Sequence, residues 1–232
     1  MKAIILAAGM GTRLRPLTNE MPKALVKVNG KPMLERQIEF LHEKGIKDII
    51  IVTGYLKEKF DYLQGKYGAE LIFNEKYDVY NNIYTMYKVK NLLPDSYVIE
   101  GDIYVNNNVF ENKVETSTYF SAFRPSFENE WEIITDKNDR VIDINVGSGV
   151  NAHILTGISY WNKEDGELIV RKLELVIESG NFEELYWDDI VRMNFGDLNV
   201  YLKRLQETDC FEVDDISDLQ KVEEIICNKQ FV

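Results

Sequence analysis

The opening 23 residues constrain the fold of this chain more than any other segment. An apolar run at residues 2–8 is long enough for one buried strand, and it breaks at once into a turn that contains Gly9 and Gly11. A glycine-rich turn exposes backbone N–H groups to a ligand, and the cations Arg13 and Lys23 follow it. Because arginine and lysine bind phosphate groups well, the segment predicts a site for a strongly anionic ligand, and a triphosphate fits.

Strand and helix patterns alternate along the first half of the sequence. After the first strand, an extended piece is predicted at 25–28, further strands at 48–53, 70–73 and 96–100, and helices at 33–44, 56–66 and 82–92. This alternation is typical of parallel strands joined by right-handed crossovers. Such sheets bind ligands at the carboxyl ends of their strands.

The second half of the sequence has a different pattern, with short strands separated by turns. Strands are predicted at 119–123, 131–135, 141–145, 154–161, 199–203 and 211–213, and helices at 164–178, 188–194 and 215–226. We therefore expect an α/β fold, a three-layer α/β/α sandwich with a Rossmann-like, mostly parallel mixed sheet and antiparallel additions that form a second-substrate pocket. The chain is predicted to be a single domain, residues 1–232, whose first half is at about 1–117 and whose second half is at about 118–232.

Net charge and cysteine content narrow the function. The formal net charge is −12, which disfavours a nucleic-acid partner and an electrostatic membrane anchor, because both need a basic surface. No segment approaches the roughly 18 apolar residues that a membrane helix requires. Cys210 and Cys227 lack the spacing of a metal site, so we expect reduced thiols and a cytoplasmic location.

The glycine loop differs from two common phosphate-binding loops. A Walker A motif has a lysine directly after its last glycine, but here Lys23 comes long after Gly11. A dinucleotide-binding motif has a third glycine or alanine where this chain has Leu14. The segment instead resembles the signature G-x-G-x-R-[LM]-x-P-L-T-x-x-x-P-K of the sugar-phosphate nucleotidyltransferase superfamily, with every fixed position filled.

This resemblance implies a fold of the nucleotide-diphospho-sugar transferase type and assigns roles to the loop. Arg13 would pair with the β- and γ-phosphates, and Lys23 would reach the α-phosphate and the attacking oxygen. The loop that holds the triphosphate would comprise Leu6, Ala7, Ala8, Gly9, Gly11 and Thr12. The acceptor phosphate is already largely ionised near neutral pH, so no general base is needed, and His42 and His153 are expected to be non-catalytic.

The candidate metal ligands are aspartates from three separate parts of the sequence. Asp102 comes after the strand at 96–100, at the same sheet edge as the glycine loop, and it matches the metal-binding aspartate of the superfamily. Mg²⁺ is the expected cofactor, since it binds one or two carboxylates together with phosphate oxygens. The resemblance favours Asp188 as the second ligand, although Asp188 also suits a helix N-cap. Its neighbour Asp189 and the more distant Asp214 remain alternatives.

Residues 80–86, Tyr-Asn-Asn-Ile-Tyr-Thr-Met, resemble the Y-N-N-x-x-S-L segment of bacterial choline-phosphate cytidylyltransferases. This resemblance implies CTP as the nucleotide, with Asn81 or Asn82 presenting its amide to cytosine, although Asn82 also suits a helix N-cap. The expected reaction transfers CMP to phosphocholine, phosphoethanolamine or 2-aminoethylphosphonate and releases pyrophosphate. An aromatic cage with a carboxylate would hold the ammonium group of the acceptor. The candidates are Trp131, Tyr186, Trp187 and Glu212, and core packing is the alternative role of each aromatic residue.

Two other functions share these features in part. A hexose-1-phosphate uridylyl- or thymidylyltransferase would have the same fold, but the Asn-Asn segment and the tryptophans of the second half disfavour it. A catalytically silent nucleotide-binding subunit is disfavoured because Arg13, Lys23 and Asp102 are all present. The sequence leaves open whether the chain is a monomer or a homodimer.

Overall fold

A computed structural model describes residues 1–229 and is built around a mixed sheet of seven strands. Including two small sheets, the strands are β1 (Lys2–Ala7), β2 (Lys27–Val28), β3 (Lys31–Pro32), β4 (Asp48–Thr53), β5 (Glu70–Phe73), β6 (Ser96–Glu100), β7 (Ile103–Val105), β8 (Ser117–Thr135), β9 (Val141–Trp161), β10 (Val200–Leu205) and β11 (Cys210–Glu212). The order across the large sheet is β10-β8-β9-β6-β1-β4-β5. Strands β6, β1, β4 and β5 are parallel, whereas β9 runs antiparallel to both β6 and β8. This confirms the predicted mixed sheet, parallel in the first half of the chain and antiparallel in part of the second.

Helices cover both faces of this sheet. They are α1 (Met33–Glu43), α2 (Tyr62–Tyr67), α3 (Asn82–Val89), α4 (Lys163–Ser179), α5 (Trp187–Arg192) and α6 (Ile216–Lys229). Side chains alternate across a strand, so Ile5 of β1 packs in the core that contains α1 and α2, and Ile4 packs in the core that contains α3, α4 and α5. The predicted three-layer arrangement is therefore confirmed. Within residues 1–229, no helix has the length and apolar character needed to cross a membrane.

Strands β8 and β9 form one long antiparallel hairpin, where the sequence predicted four shorter strands. Each long strand contains two of the predicted ones, namely 119–123 and 131–135 in β8, and 141–145 and 154–161 in β9. The polar residues between the predicted strands also form backbone pairs across the hairpin. A search for apolar runs does not detect these paired polar segments. The ladder shifts register between Phe127 and Glu130, beside Asn129 with a φ of 54°. Bulges of this kind bend a long hairpin.

The predicted helix at 56–66 is divided in two. A single 3-10 turn at Lys57–Phe60 comes first, and the α-helical part is limited to α2. The remaining predicted helices and strands match observed ones with shifts of a few residues at their ends.

A small antiparallel sheet brings two distant parts of the chain to one edge of the molecule. In it β7 pairs with β11, with Ile103 opposite Glu212. The backbone N–H of Val213 donates to the carbonyl of Asp102 at 3.2 Å, just beyond the paired strands. The turn that follows β6 and the turn that follows β11 therefore lie side by side, and each contributes a carboxylate to the site described next.

Candidate active site

A cavity of about 240 Å³ opens at the carboxyl ends of β1 and β6, beside the start of α3. Its lining is Leu6, Ala7, Ala8, Gly9, Lys23, Ala24, Tyr77, Tyr80, Asn81, Asn82, Thr85, Glu100, Gly101 and Asp102. Eight of these residues are among those predicted from the sequence, so the glycine turn, the asparagine pair and Asp102 do meet at one place. Gly11, Thr12 and Arg13 stand outside the lining.

Gly11 contributes to the conformation of the loop although it does not line the cavity. Its φ is +59°, in the left-handed region that favours glycine, and its carbonyl accepts a hydrogen bond from the Thr18 hydroxyl at 2.7 Å. A Cβ at this position would lie only 2.7 Å from Cβ of Lys23. The absence of a side chain at Gly11 therefore allows Lys23 to pack directly against the loop.

The ammonium group of Lys23 bridges two carboxylates that are far apart in the sequence. Its Nζ lies 2.5 Å from Oδ2 of Asp102 and 2.6 Å from Oδ1 of Asp214. Burial would lower the pKa of Lys23, but the two carboxylates raise it overall, so the side chain stays charged. Arg13 also contacts Asp214, at 2.8 Å, yet 70% of the Arg13 side chain remains exposed and accessible to a ligand.

Asp102, Glu212 and Asp214 form a group of carboxylates whose candidate ligand atoms all lie within 4.8 Å of one another. Desolvation, together with the negative charges of Asp102, Asp214 and Glu130, raises the pKa of Glu212 to about 8. Several anionic oxygens held this close together favour a cation between them. Hard oxygen donors of this kind suit a divalent ion such as Mg²⁺.

Asp188, the predicted second metal ligand, is not part of this carboxylate group. It is buried, and its Oδ1 accepts a hydrogen bond from the Tyr119 hydroxyl at 2.8 Å. Desolvation raises the pKa of Asp188 to about 7. The neighbouring Asp189 accepts from the backbone N–H of Tyr186 at 2.9 Å and so supports the start of α5. The geometry thus favours Asp214 over Asp188 and Asp189 as the partner of Asp102. Asp188 is not the N-cap of α5 either, because Tyr186 holds that position.

Both predicted base-contacting asparagines make hydrogen bonds within the protein. Asn81 donates from Nδ2 to the carbonyl of Glu184 at 3.0 Å. Asn82 donates from Nδ2 to Oε1 of Glu100 at 2.9 Å and accepts at Oδ1 from the backbone N–H of Trp187, also at 2.9 Å. The alternative role of Asn82 as an N-cap is wrong, since Asn81 occupies the cap position of α3.

The aromatic candidates divide into exposed and buried residues. Tyr186 is 47% exposed, and its ring meets Trp131 edge to face with 6.1 Å between ring centroids. Trp187 is only 3% exposed and packs against the fully buried Trp161 at 5.7 Å. Trp131 and Tyr186 can therefore form a wall for a ligand, whereas Trp187 belongs to the core.

Glu100 is a site residue that the sequence reasoning missed. Desolvation, followed by the charges of Asp102, Asp188 and Glu212, raises its pKa well above the ordinary value. A carboxylate at the end of a predicted strand, two residues before Asp102, was the available signal. The two histidines, His42 and His153, lie on α1 and β9 outside the cavity lining.

The glycine loop, the lysine-bridged carboxylates and the parallel sheet edge define a class of enzyme. The profile of the Nucleotidyl transferase family matches residues 2–125, more than half of the chain. The chain therefore belongs to the nucleotidyl transferase family, and its sequence resemblance to that superfamily is confirmed.

Particular relatives narrow this class. The chain is 51% identical over 229 residues to the choline-phosphate cytidylyltransferase of Streptococcus pneumoniae, a match that covers 99% of this chain and 100% of the relative. A solved structure of the CTP:phosphocholine cytidylyltransferase of that organism superposes with a TM-score of 0.95 and covers 97% of this chain and 98% of its own. The 2-aminoethylphosphonate cytidylyltransferase of Lancefieldella rimae is 32% identical over 94% of this chain and 89% of its own.

Proposed function

We propose that this protein transfers CMP from CTP to phosphocholine and releases pyrophosphate. The observation that carries the proposal is the 51% identity to a choline-phosphate cytidylyltransferase over almost the whole chain. The fold and the charged groups around Lys23 agree with phosphoryl chemistry of this kind. Phosphoethanolamine and 2-aminoethylphosphonate are the alternative acceptors, and the relative that acts on the latter is more distant.

The reaction joins an oxygen of the acceptor phosphate to the α-phosphorus of CTP and breaks the bond to the pyrophosphate oxygen. Lys23, at the edge of the cavity, would neutralise charge on the α-phosphate and the attacking oxygen. The exposed guanidinium of Arg13 would leave Asp214 to pair with the departing phosphates. Alignment and charge neutralisation carry such a reaction without a general base, which suits a cavity that has no histidine in its lining.

The oxygen donors of Asp102 and Asp214 would hold Mg²⁺, with Glu212 beside them. The ion supplies charge neutralisation at the phosphates when it is bound. Lys23 bridges the same two aspartates. In this scheme the ammonium group would therefore move toward the nucleotide when the ion binds.

The wall formed by Trp131 and Tyr186 would receive the quaternary ammonium group of the acceptor. Glu212 would provide the countercharge in its ionised form, because a bound cation lowers the raised pKa of this carboxyl. The loop residues Leu6, Ala7, Ala8 and Gly9 would contact the nucleotide from the other side of the site.

We further propose that the chain acts as one domain, with the nucleotide-binding half at about 1–117 and the acceptor-binding half at about 118–232. The continuous seven-stranded sheet supports this, since β6 and β9 pair directly across the two halves. A cytoplasmic location, where CTP is made, fits this activity. The protein is expected to be a monomer or a homodimer and to need no nucleic acid or membrane.

Pyrophosphate release measured with Mg²⁺ tests the proposal. CTP, UTP and dTTP are each combined with phosphocholine, phosphoethanolamine, 2-aminoethylphosphonate and glucose-1-phosphate. Turnover limited to CTP, with phosphocholine as the best acceptor, is the expected result. Turnover only with glucose-1-phosphate and UTP or dTTP would instead assign the protein to the hexose-1-phosphate enzymes, and no turnover at all would refute the activity.

A further inference from the structure

One side chain, Asn82, joins three parts of the site that come from distant segments of the chain. Its amide donates to Oε1 of Glu100 and accepts from the backbone N–H of Trp187, each at 2.9 Å. Glu100 ends β6 two residues before Asp102, and Trp187 directly follows Tyr186. The amide therefore connects the wall of the nucleotide cavity, the strand that leads to the metal-binding group and the turn that carries the aromatic wall.

The hydrogen bond to Trp187 has a clear physical reason. Trp187 is the first residue of α5, and the first N–H groups of a helix have no partner inside it. Tyrosine, which holds the N-cap position at 186, is not among the residues that cap helices well. Asn82 supplies the acceptor from 105 positions away in the sequence.

A second hydrogen bond holds the same turn. Asn81 donates to the carbonyl of Glu184, so the start of α3 contacts the segment 184–187 at two points. Both asparagines also line the nucleotide cavity. These two hydrogen bonds tie the start of α3 to the backbone on either side of Tyr186.

We propose that Asn82 is a positioning residue that couples nucleotide binding to acceptor binding. A nucleotide in the cavity fixes the start of α3, and through Asn82 it fixes the Tyr186 ring against Trp131 before the acceptor arrives. A first ligand that orders a shared element has already met the free-energy cost of ordering it, so the second ligand binds more tightly. The effect is reciprocal between the two ligands. This inference rests on the proposed function, because it takes the aromatic wall as the place of the acceptor.

Isothermal titration calorimetry with Mg²⁺ measures the coupling directly. The Kd of phosphocholine is determined with and without saturating α,β-methylene CTP, and the ratio of the two values is compared among variants. In the wild-type protein the ratio should be about 5 or more, a usual size for coupled sites. In Asn82→Ala it should fall below about 2, because both hydrogen bonds are lost. In Asn82→Asp it should fall as well, since the acceptor for Trp187 stays but the donor to Glu100 is gone.

A matched control is Asn108→Ala. The Asn108 amide also bridges two groups, the carbonyl of Phe40 and Oε2 of Glu43, but none of these three residues lines the cavity. This variant should keep the wild-type ratio. If Asn82→Ala does not fold, Asn82→Asp gives the same readout, because its side chain has nearly the same shape.

The outcomes separate the coupling from the activity. Two results would overturn the coupling alone, provided that the wild-type protein turns over. One is a ratio in the Asn82 variants that equals the wild-type ratio, and the other is a wild-type ratio near 1. Loss of affinity for α,β-methylene CTP by tenfold or more with the ratio intact would identify Asn82 as a reader of the base instead. Absence of turnover in the wild type would overturn the proposed function, and the coupling with it.

Discussion

Replacement of Gly11 by alanine tests whether the loop sets the position of Lys23, the lysine proposed to be catalytic. The new Cβ would lie 2.7 Å from Cβ and 3.2 Å from Cγ of Lys23. Carbon atoms in contact are normally about 3.5–4.0 Å apart, so Lys23 or the loop must move by roughly 1 Å. A misplacement of about that size can cost ~10²-fold in rate. We therefore expect kcat/KM for CMP transfer to fall about 100-fold, or ~2.7 kcal/mol of transition-state stabilisation.

Backbone strain must be separated from the displacement of Lys23. Gly11 has a φ of +59°, and an alanine there also pays roughly 1–2 kcal/mol for the left-handed conformation. Gly68 provides the matched control, since its φ is +70° and no atom lies within 4 Å of its added Cβ. Gly68→Ala should lose similar stability but keep its activity.

The assays are pyrophosphate release for kcat/KM and thermal unfolding for stability, both applied to the two alanine variants. The reasoning predicts that only Gly11→Ala combines the loss of stability with a large loss of activity. It would be refuted if Gly11→Ala kept kcat/KM within about threefold of the wild type, because the rate penalty expected for a ~1 Å displacement would then be absent.

Single side-chain changes test the rest of the site and the core. Lys23→Ala should lower kcat about 100-fold, since one lost transition-state contact costs ~3 kcal/mol, and a change in KM alone would contradict this role. Asp214→Asn should raise the Mg²⁺ concentration for half-maximal activity at least about tenfold, and Asp188→Asn should leave it unchanged. A rise in Asp188→Asn without a rise in Asp214→Asn would instead favour Asp188 as the ligand. Burial would raise the pKa of Glu35, but hydrogen bonds from a lysine and two tyrosines outweigh it and lower the pKa from 4.5. The ionised carboxylate therefore stabilises the fold above that pH, and this stabilisation is lost as the pH falls through the pKa of the folded state. The difference in unfolding free energy between wild type and Glu35→Gln should therefore shrink from pH 7 to pH 3, and a difference that stays constant over this range would contradict the reasoning.

The sequence predicts those features of the molecule that local patterns control. The apolar run before Gly9 defines β1, and its continuation into a glycine turn places the loop at the carboxyl edge of the sheet. Asp102 follows from the same reasoning, because the end of any parallel strand next to β1 reaches this edge. Each of these inferences depends on neighbouring residues and on strand direction alone.

Long-range pairing limits what the sequence can predict. Asp214 joins Asp102 only because β11 pairs with β7, and nothing in the short strand around residue 211 indicates that partner. Asp188 was favoured by the family resemblance, which implies a metal ligand in the Trp-Asp pair, but its carboxylate accepts a hydrogen bond from Tyr119 on β8. Trp187 was a candidate for the acceptor pocket, with core packing as the alternative, and in the structure it packs against Trp161 of β9. Both contacts come from packing across elements that are far apart in the sequence.

The small sheet of β7 and β11 also joins segments that are synthesised at different times. Arg13 and Lys23 belong to the first tenth of the chain, whereas Asp214, which both of them contact, belongs to the last. A ribosome that has released only the first two hundred residues has produced most of the large sheet but not this contact. On the proposed role of Asp214 as a metal ligand, enzymatic activity would therefore report that β11 has paired with β7, and it would serve as a direct signal for this step of folding.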